Sequence, residues 1–253
     1  MGVYENLLKI GCFDLGEAVT LSGNPKTAES AIYSLKKRGL IKSVKRNLYV
    51  LISLETGSPV ASPYEIASRI TKSAYVSHHS AFEYYGMANQ VFGEIYISSK
   101  ERFNDFEFDG RVYRYVASKL DMGVSSKNKM KITDLERTVI DSVKDFNKIG
   151  GLEELLRCLS MVTFIDESKL LDYLKAYDNM FLYQKAGYIL SCFNKPMKVS
   201  AEFFDACKAR INKSVRYLYP DIIKEAPILN KDWRLYVPRN MARLIEEGVN
   251  TDV

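Results

Sequence analysis

The sequence predicts an α+β protein: an N-terminal winged helix-turn-helix, then a larger mixed α/β C-terminal domain with a small sheet followed mainly by helices. Three observations predict this class. Helical periodicity in the first 38 residues gives way to two β-prone runs, a second pair of β-prone runs flanks Asp109-Gly110, and amphipathic segments follow residue 133. We expect the winged helix over residues 1–55 and the α+β domain over residues 62–253, joined by the Ser-, Pro- and Gly-rich segment 53–62.

The first two predicted helices lie before a short turn. Residues 3–10 fit one helical face, and Asp14 is the expected N-cap of a second helix, with Glu17 as its reciprocal capping partner. A turn signal at residues 22–25 precedes a third helix from about Lys26 to Arg38. Two helices joined by a short Gly-containing turn are typical of a helix-turn-helix.

After Gly39 the periodicity changes from helical to extended. Residues 40–44 and 48–52 are short β-prone runs, and Lys45-Arg46-Asn47 lies between them. Asn tolerates the positive φ that a tight hairpin requires. A basic hairpin directly after the second helix of a helix-turn-helix is a wing.

The third helix has an apolar face and a polar face, which predicts that it binds double-stranded DNA. A helix fits the major groove and its N-terminal half reaches base edges, whereas cationic side chains bind phosphates. Residues 1–54 hold eight basic and four acidic residues, so most of the net charge of +5 lies there. The candidate DNA-binding residues are Lys26, Thr27, Ser30 and Tyr33 for base edges, Lys37, Arg38, Lys42, Lys45 and Arg46 for phosphates, and Asn47 at the wing tip.

The remainder of the chain is expected to form strands first and helices later. Residues 75–77, 94–98, 106–108 and 112–116 are the predicted strands. Ser80 and Thr133 each stand three residues before a Glu, so both are expected to cap helices through capping boxes. Further helices are expected at residues 152–159, 169–177, 181–192, 201–211 and 241–246.

Composition limits the class of protein further. No run of about 18 apolar residues and no signal-peptide pattern occurs, so we expect a cytoplasmic protein with no membrane partner. The four cysteines are widely spaced and the two histidines, His78 and His79, are adjacent. This is not the pattern of a structural zinc site, so free thiols, no metal and no cofactor are expected.

Three stretches of the chain, taken in order, resemble the AbiEi family. They are the N-terminal winged helix, the segment 75–86 with its Ser77-His78-His79-Ser80-Ala81 sequence, and the segment 132–141 followed by Gly150-Gly151 and residues 152–156. Together they span about residues 1–160. The sequence departs from the family pattern at Asn47-Leu48, where Arg-Gly often precedes the wing Tyr.

The resemblance implies a function that spacing alone does not. AbiEi proteins are antitoxins of type IV toxin–antitoxin systems, which act in abortive infection. This chain would then bind operator DNA with inverted repeats in its own promoter and repress the operon. Its C-terminal domain would counter a co-encoded nucleotidyltransferase-like toxin without forming a stable complex, and the chain would not be an enzyme.

Other interpretations stay open at this point. A basic winged helix can also serve as a protein-interaction or dimerisation module. The acidic group Asp134, Glu136, Asp141 and Asp145 suggests a two-metal nuclease, although helix capping and an Arg137–Asp141 pair account for it more simply. The alternatives to an antitoxin are therefore a winged-helix regulator with a ligand-sensing C-terminal domain and a DNA-processing enzyme tethered by a winged helix.

Overall fold

The computed structural model describes residues 3–249, and the side chains of residues 6–246 within them. It contains both helices and sheets, which confirms the predicted mixed α+β class. The outer ends of the predicted ranges 1–55 and 62–253 lie outside the described residues. No helix in the described part of the chain has the length and apolarity needed to span a bilayer.

Three helices and a small antiparallel sheet form the N-terminal part of the chain. The sheet has the strand order β1-β3-β2, and the helices bury their apolar faces in one cluster with it. Strand β1 was not predicted, because three residues are too few to show a period of two. The elements are α1 (Val3–Ile10), β1 (Cys12–Asp14), α2 (Leu15–Ser22), α3 (Pro25–Lys37), β2 (Ile41–Lys45) and β3 (Leu48–Leu51).

A short helix and a six-stranded mixed sheet follow. In the sheet β5 pairs in parallel with β7 and antiparallel with β4, and β6 pairs antiparallel with β7. The strand order is β6-β7-β5-β4-β9-β8. The elements are α4 (Pro63–Ala67), β4 (Tyr75–Val76), β5 (Glu94–Ser99), β6 (Phe106–Phe108), β7 (Arg111–Ala117), β8 (Val124–Lys127) and β9 (Met130–Thr133).

The remaining elements are mainly helices around one large apolar cluster. A three-stranded sheet of order β10-β12-β11 accompanies them. The helices are α5 (His79–Tyr84), α6 (Leu135–Lys144), α7 (Leu152–Ser160), α8 (Glu167–Tyr177), α9 (Met180–Ser191), α10 (Asn194–Met197), α11 (Ala201–Ala209) and α12 (Met241–Val249). The strands are β10 (Arg216–Tyr217), β11 (Ile228–Asn230) and β12 (Leu235–Val237), and 3-10 turns occupy Phe146–Ile149 and Pro220–Glu225.

The chain divides into two compact units with bounds that differ from the predicted domains. The first unit holds the chain up to Val76 together with Gly93–Ser118 and Ser125–Ile132. The second unit holds Ser77–Phe92, Lys119–Val124 and the chain from Thr133 onward. The division therefore does not coincide with the expected linker, which stays close to the N-terminal elements through an Ile52–Pro59 bridge.

Two predicted helix caps are wrong, and each has a local reason. Helix α5 begins at His79, with His78 at the N-cap position and no side-chain cap, so Ser80 lies inside the helix. Thr133 ends strand β9, and Asp134 caps α6 by accepting the N–H of Arg137 at 2.8 Å. In both places a buried strand leads into the helix, and the Ser or Thr side chain is buried rather than free to cap.

Candidate nucleic-acid interface

Helix α3 is held at its N-terminus by a cap that the sequence analysis did not single out. The N–H groups of Lys26 and Thr27 donate to the Asn24 side-chain oxygen at 2.8 and 3.4 Å, and Pro25 occupies the first helical position. Asn is among the best N-cap residues because its oxygen satisfies N–H groups that the helix leaves unpaired. The signal was present in the sequence, but Asn24 was assigned to a turn.

One continuous stripe of exposed side chains runs along α3. Lys26, Ser30, Tyr33 and Lys37 follow one another at spacings of four, three and four residues and are all exposed, with Thr27 exposed beside them. Tyr33 is 71% exposed, which is unusual for so large an aromatic side chain. We call these four residues the α3 stripe.

The opposite face of α3 explains the orientation of the stripe. Ala28, Ile32 and Leu35 are buried and pack in the apolar cluster of the N-terminal elements. Burying these three side chains fixes the rotation of α3 about its axis, so the α3 stripe is held toward solvent. The sequence prediction of which face is exposed agrees with this arrangement.

The β2–β3 hairpin carries the second group of predicted residues. Asn47 at its tip has φ 61°, and Lys42, Arg46 and Asn47 are exposed. A register irregularity between Ser43 and Lys45 interrupts the pairing of the two strands. A left-handed residue here closes the short connection, which is why Asn rather than a β-branched residue fits.

Two of the hairpin lysines are partly engaged within the protein. Lys45 is only half-buried, and this burial lowers its pKa while Glu101 acts in the opposite direction. The Lys42 ammonium lies 3.9 Å from an Asp109 carboxylate oxygen, with both side chains about half exposed. Exposed pairs of this kind contribute only about 0–1 kcal/mol, so Lys42 can exchange this partner for a phosphate at little cost.

The cationic end of α3 has a structural explanation as well. Lys36 and Lys37 lie in its last turn, and Arg38 is its C-cap. Positive side chains there stabilise the helix dipole by about 0.3–1 kcal/mol. Lys37 and Arg38 therefore have a role without DNA, and whether they also contact phosphates stays a prediction.

A basic cleft of about 320 Å³ in the first compact unit was missed by the sequence analysis. The Lys131 ammonium donates to the Lys72 carbonyl at 2.7 Å, and Arg69 pairs with Glu17. The basic residues of this cleft come from separate segments of the sequence, so no run of charged residues predicted it. The cleft is lined by Asp14, Ser68, Arg69, Thr71, Lys72, Lys129 and Lys131.

The acidic group that suggested a nuclease does not converge on an open site. The Asp134 side chain caps α6, and the Glu136 side chain accepts the Asp166 N–H at 3.0 Å. The Asp141 carboxylate accepts from Arg137 Nε at 2.8 Å and from the Tyr177 hydroxyl at 2.5 Å, whereas Asp145 pairs with Lys148. Each carboxylate thus has a structural partner, including the predicted Arg137–Asp141 pair.

A second cleft, of about 520 Å³, lies in the second compact unit. Lys144, Lys185 and Arg216 line it together with Phe146 and Phe181. Lys185 is 6% exposed, and its ammonium lies 3.9 Å from the Phe146 ring centroid and donates to the Lys144 carbonyl at 3.1 Å. Burial lowers the pKa of Lys185 to about 8.

Taken together, the chain is a mixed α+β protein with an exposed cationic helix and hairpin near its N-terminus. No family model and no curated protein matches it. It is similar to the crystal structure of the RV2827C protein from Mycobacterium tuberculosis, with a TM-score of 0.65 over 97% of this chain and 92% of that chain. The two sequences are 13% identical, so the likeness shows the fold alone.

Proposed function

We propose that the N-terminal elements form a winged helix-turn-helix that binds double-stranded DNA, with α3 in the major groove and the β2–β3 hairpin as the wing. The observation that carries this proposal is the α3 stripe, which combines cationic, hydroxyl and aromatic groups on one exposed helix face. Lys26 and Ser30 lie toward the N-terminal half of α3, the part of a recognition helix that reaches base edges. Arg46 at the wing tip would bind a phosphate.

The test is DNA binding by the full chain, measured by fluorescence anisotropy with the region upstream of its own gene. Lys26→Ala and Arg46→Ala are each expected to weaken binding, because each removes one contact to base edge or phosphate. Lys175→Ala and Arg239→Ala are the matched controls, since both side chains are exposed and lie in the second compact unit. Equal affinity of all four variants and the unchanged chain would rule out this interface.

We further propose that the protein is an antitoxin and autorepressor of the AbiEi type. The support is the sequence resemblance over residues 1–160 together with the exposed cationic α3 and hairpin. In this proposal the operator carries inverted repeats, because one protein copy would bind each half-site. The second function would be to counter a nucleotidyltransferase-like toxin encoded beside it.

Co-expression with the neighbouring gene tests the antitoxin part separately from the DNA-binding part. The full chain should restore growth to cells that express the toxin. A full-length chain carrying Lys26→Ala and Arg46→Ala should lose repression of a promoter reporter but keep this protection, because neither residue is in the second compact unit. A neighbouring gene without any toxic effect would argue against an antitoxin while leaving DNA binding intact.

One observation favours a second function, the sensing of a small anionic ligand. Lys185 has no carboxylate within ion-pair distance among the described residues, and it lines the 520 Å³ cleft beside two aromatic rings. Such a site suits an aromatic anion, for example a nucleotide. A panel of nucleotides is screened in thermal-shift assays. The nucleotide that binds should raise the unfolding temperature of the unchanged chain but not that of Lys185→Met. A ligand that stabilises both equally would bind elsewhere.

A further inference from the structure

Helices α5 and α7 bring four buried polar side chains together. His79 and Glu83 stand four residues apart on α5, and Glu154 and Cys158 stand four residues apart on α7. His79 Nε2 lies 3.2 Å from Glu154 Oε1, and Cys158 Sγ lies 3.7 Å from the same oxygen. His79 and Cys158 are fully buried and Glu154 is 4% exposed.

Within the described part of the chain, one carboxylate oxygen of this cluster is buried without a hydrogen bond. The carboxylates of Glu83 and Glu154 both face the His79 imidazole, and Arg157 forms a long ion pair with Glu154. Arg157 Nη1 is 3.9 Å from Glu154 Oε2, too far for a hydrogen bond, and this oxygen has no hydrogen-bond partner among the described residues. Burying a carboxylate oxygen without a hydrogen bond is costly, and a bound cation lowers that cost.

The spacing of the three atoms fits a tetrahedral metal. Zinc binds His nitrogen and carboxylate oxygen at about 2.0–2.2 Å and thiolate sulfur at about 2.3 Å, which places ligand atoms roughly 3.3–3.6 Å apart at tetrahedral angles. The two measured separations, 3.2 and 3.7 Å, are close to these values, and all three ligand atoms lie within 4.8 Å of one another.

The surroundings of His79 are those of a metal ligand. Its other nitrogen, Nδ1, lies 3.0 Å from Glu83 Oε1 but not at the angle of a hydrogen bond, and this oxygen accepts the Phe92 N–H at 2.7 Å. A metal-binding His almost always donates its second N–H to a carboxylate, which fixes the tautomer and the ring. The Phe92 ring stacks on the imidazole with centroids 3.7 Å apart and holds its plane.

We propose that His79, Glu154 and Cys158 bind one divalent ion of the zinc class, with Glu83 as the residue that positions His79. The combination of thiolate, imidazole and carboxylate favours zinc over magnesium or calcium. On binding, the Cys158 thiol loses its proton to solvent, and the ion with one thiolate and one carboxylate is neutral. The ion would tie α5 to α7 and act structurally, since these side chains are buried.

The proposal departs from the expectation of no metal. The ligands come from two helices 75 residues apart in the sequence, and neither helix has a close Cys or His pair. The only signal was the spacing of four between His79 and Glu83 and between Glu154 and Cys158, which puts each pair on one helix face.

Metal content of the full chain, purified without a polyhistidine tag, tests the proposal by mass spectrometry of the elements. We expect about one zinc per chain, and loss of most of it in Cys158→Ser. Cys207→Ser is the matched control because Cys207 is equally buried on α11 and should leave the zinc content unchanged. Glu83→Gln should keep the site but weaken zinc binding about 10- to 100-fold, measured by competition with a chromophoric chelator.

A second measurement uses the unchanged chain, so it does not depend on the folding of any variant. Cobalt(II) added to the zinc-stripped chain should give the thiolate-to-cobalt absorption of a tetrahedral site, and zinc should raise the unfolding temperature of that chain. Metal-free protein that zinc does not stabilise would overturn the proposal. So would equal zinc content in the unchanged chain and Cys158→Ser, because the ion would then be bound elsewhere.

Discussion

Lys185 is a buried ammonium group on α9, placed among aromatic rings rather than beside a carboxylate. Burial lowers its pKa from the ordinary 10.5 to about 8. Between these two values the unfolded chain binds more protons at this residue than the folded chain does. The contribution of Lys185 to the free energy of unfolding therefore rises with pH through this window, and below it the charged lysine destabilises the fold.

Lys185→Met should therefore stabilise the protein at neutral pH. We expect the free energy of unfolding to increase by about 3 kcal/mol at pH 7, because the pKa falls from 10.5 to about 8 and each unit corresponds to about 1.4 kcal/mol. The gain should shrink toward pH 10.5, because the native lysine is neutral there. Urea unfolding at both pH values measures this, and Lys175→Met is the exposed control. A Met variant less stable than the unchanged chain at pH 7 would contradict the prediction.

Gly187 allows a close contact inside the second compact unit. A Cβ at this position of α9 would lie 2.1 Å from the Trp233 ring, far inside any real contact. Replacing a helical glycine by alanine normally stabilises a protein by about 1 kcal/mol. At position 187 the same replacement should destabilise the protein, because the alanine Cβ would collide with the Trp233 ring. The Trp233 indole therefore leaves room for no residue other than glycine at position 187.

Gly187→Ala should destabilise the fold by about 1–3 kcal/mol, the usual cost of overpacking a core. Thermal and urea unfolding of the full chain provide the measurement. Gly93→Ala is the control, because a Cβ at Gly93 meets nothing within 4 Å. If the Gly187 variant proved as stable as the control, the Trp233 ring would not pack against α9 as described.

At the scale of elements, helix α3 depends on its cap. Asn24 satisfies N–H groups in the first turn, and Lys26 and Thr27, which are predicted to read base edges, lie in that same turn. Asn24→Ala should cost about 1 kcal/mol of stability. It should also weaken DNA binding, because the first turn frays in the free protein, whereas Asn24→Asp or Asn24→Ser should keep the helix. Asn24→Ala with unaltered stability and affinity would show that the cap is not needed.

The long helices could be predicted from the sequence, and the short strands could not. Helices such as α7 and α9 carry periodic apolar residues, which predict the ends of each helix to within two residues. Strands β1 and β10 have three and two residues, too few for alternation, and exist because neighbouring strands pair with them. Local patterns also misplaced the caps at Ser80 and Thr133, where burial in the tertiary fold decides what the side chain does.

The candidate sites also differ in how far the sequence alone could predict them. The α3 stripe lies on one helix, so its spacing in the sequence shows it. The 520 Å³ cleft draws its residues from segments around positions 144, 185 and 216, and the proposed metal site draws its residues from positions 79 and 154–158. Only the fold brings such residues together, so no local motif could reveal them.

At the scale of the whole molecule, the distribution of charge sets the expected salt dependence of DNA binding. Residues 1–54 carry four of the five net positive charges, so the rest of the chain is close to neutral and should neither attract nor repel DNA strongly. Each phosphate contact releases counterions and contributes roughly −0.9 to the slope of log affinity against log salt concentration. Five contacts, from Lys37, Arg38, Lys42, Lys45 and Arg46, give a slope of about −4.5.

The burial of Lys45 and the helix-terminal position of Lys37 and Arg38 make the individual contributions unequal. Arg46→Ala should reduce the magnitude of the slope by about 0.9, because Arg46 is exposed at the tip of the β2–β3 hairpin. Lys45→Ala should change it less, since its half-buried ammonium is poorly placed to reach a phosphate. Lys26→Ala should lower affinity for the operator more than for unrelated DNA, because it would read base edges. Anisotropy titrations on both DNAs at several salt concentrations would separate these effects. If all three variants kept the slope of the unchanged chain, the β2–β3 hairpin would be excluded from the interface.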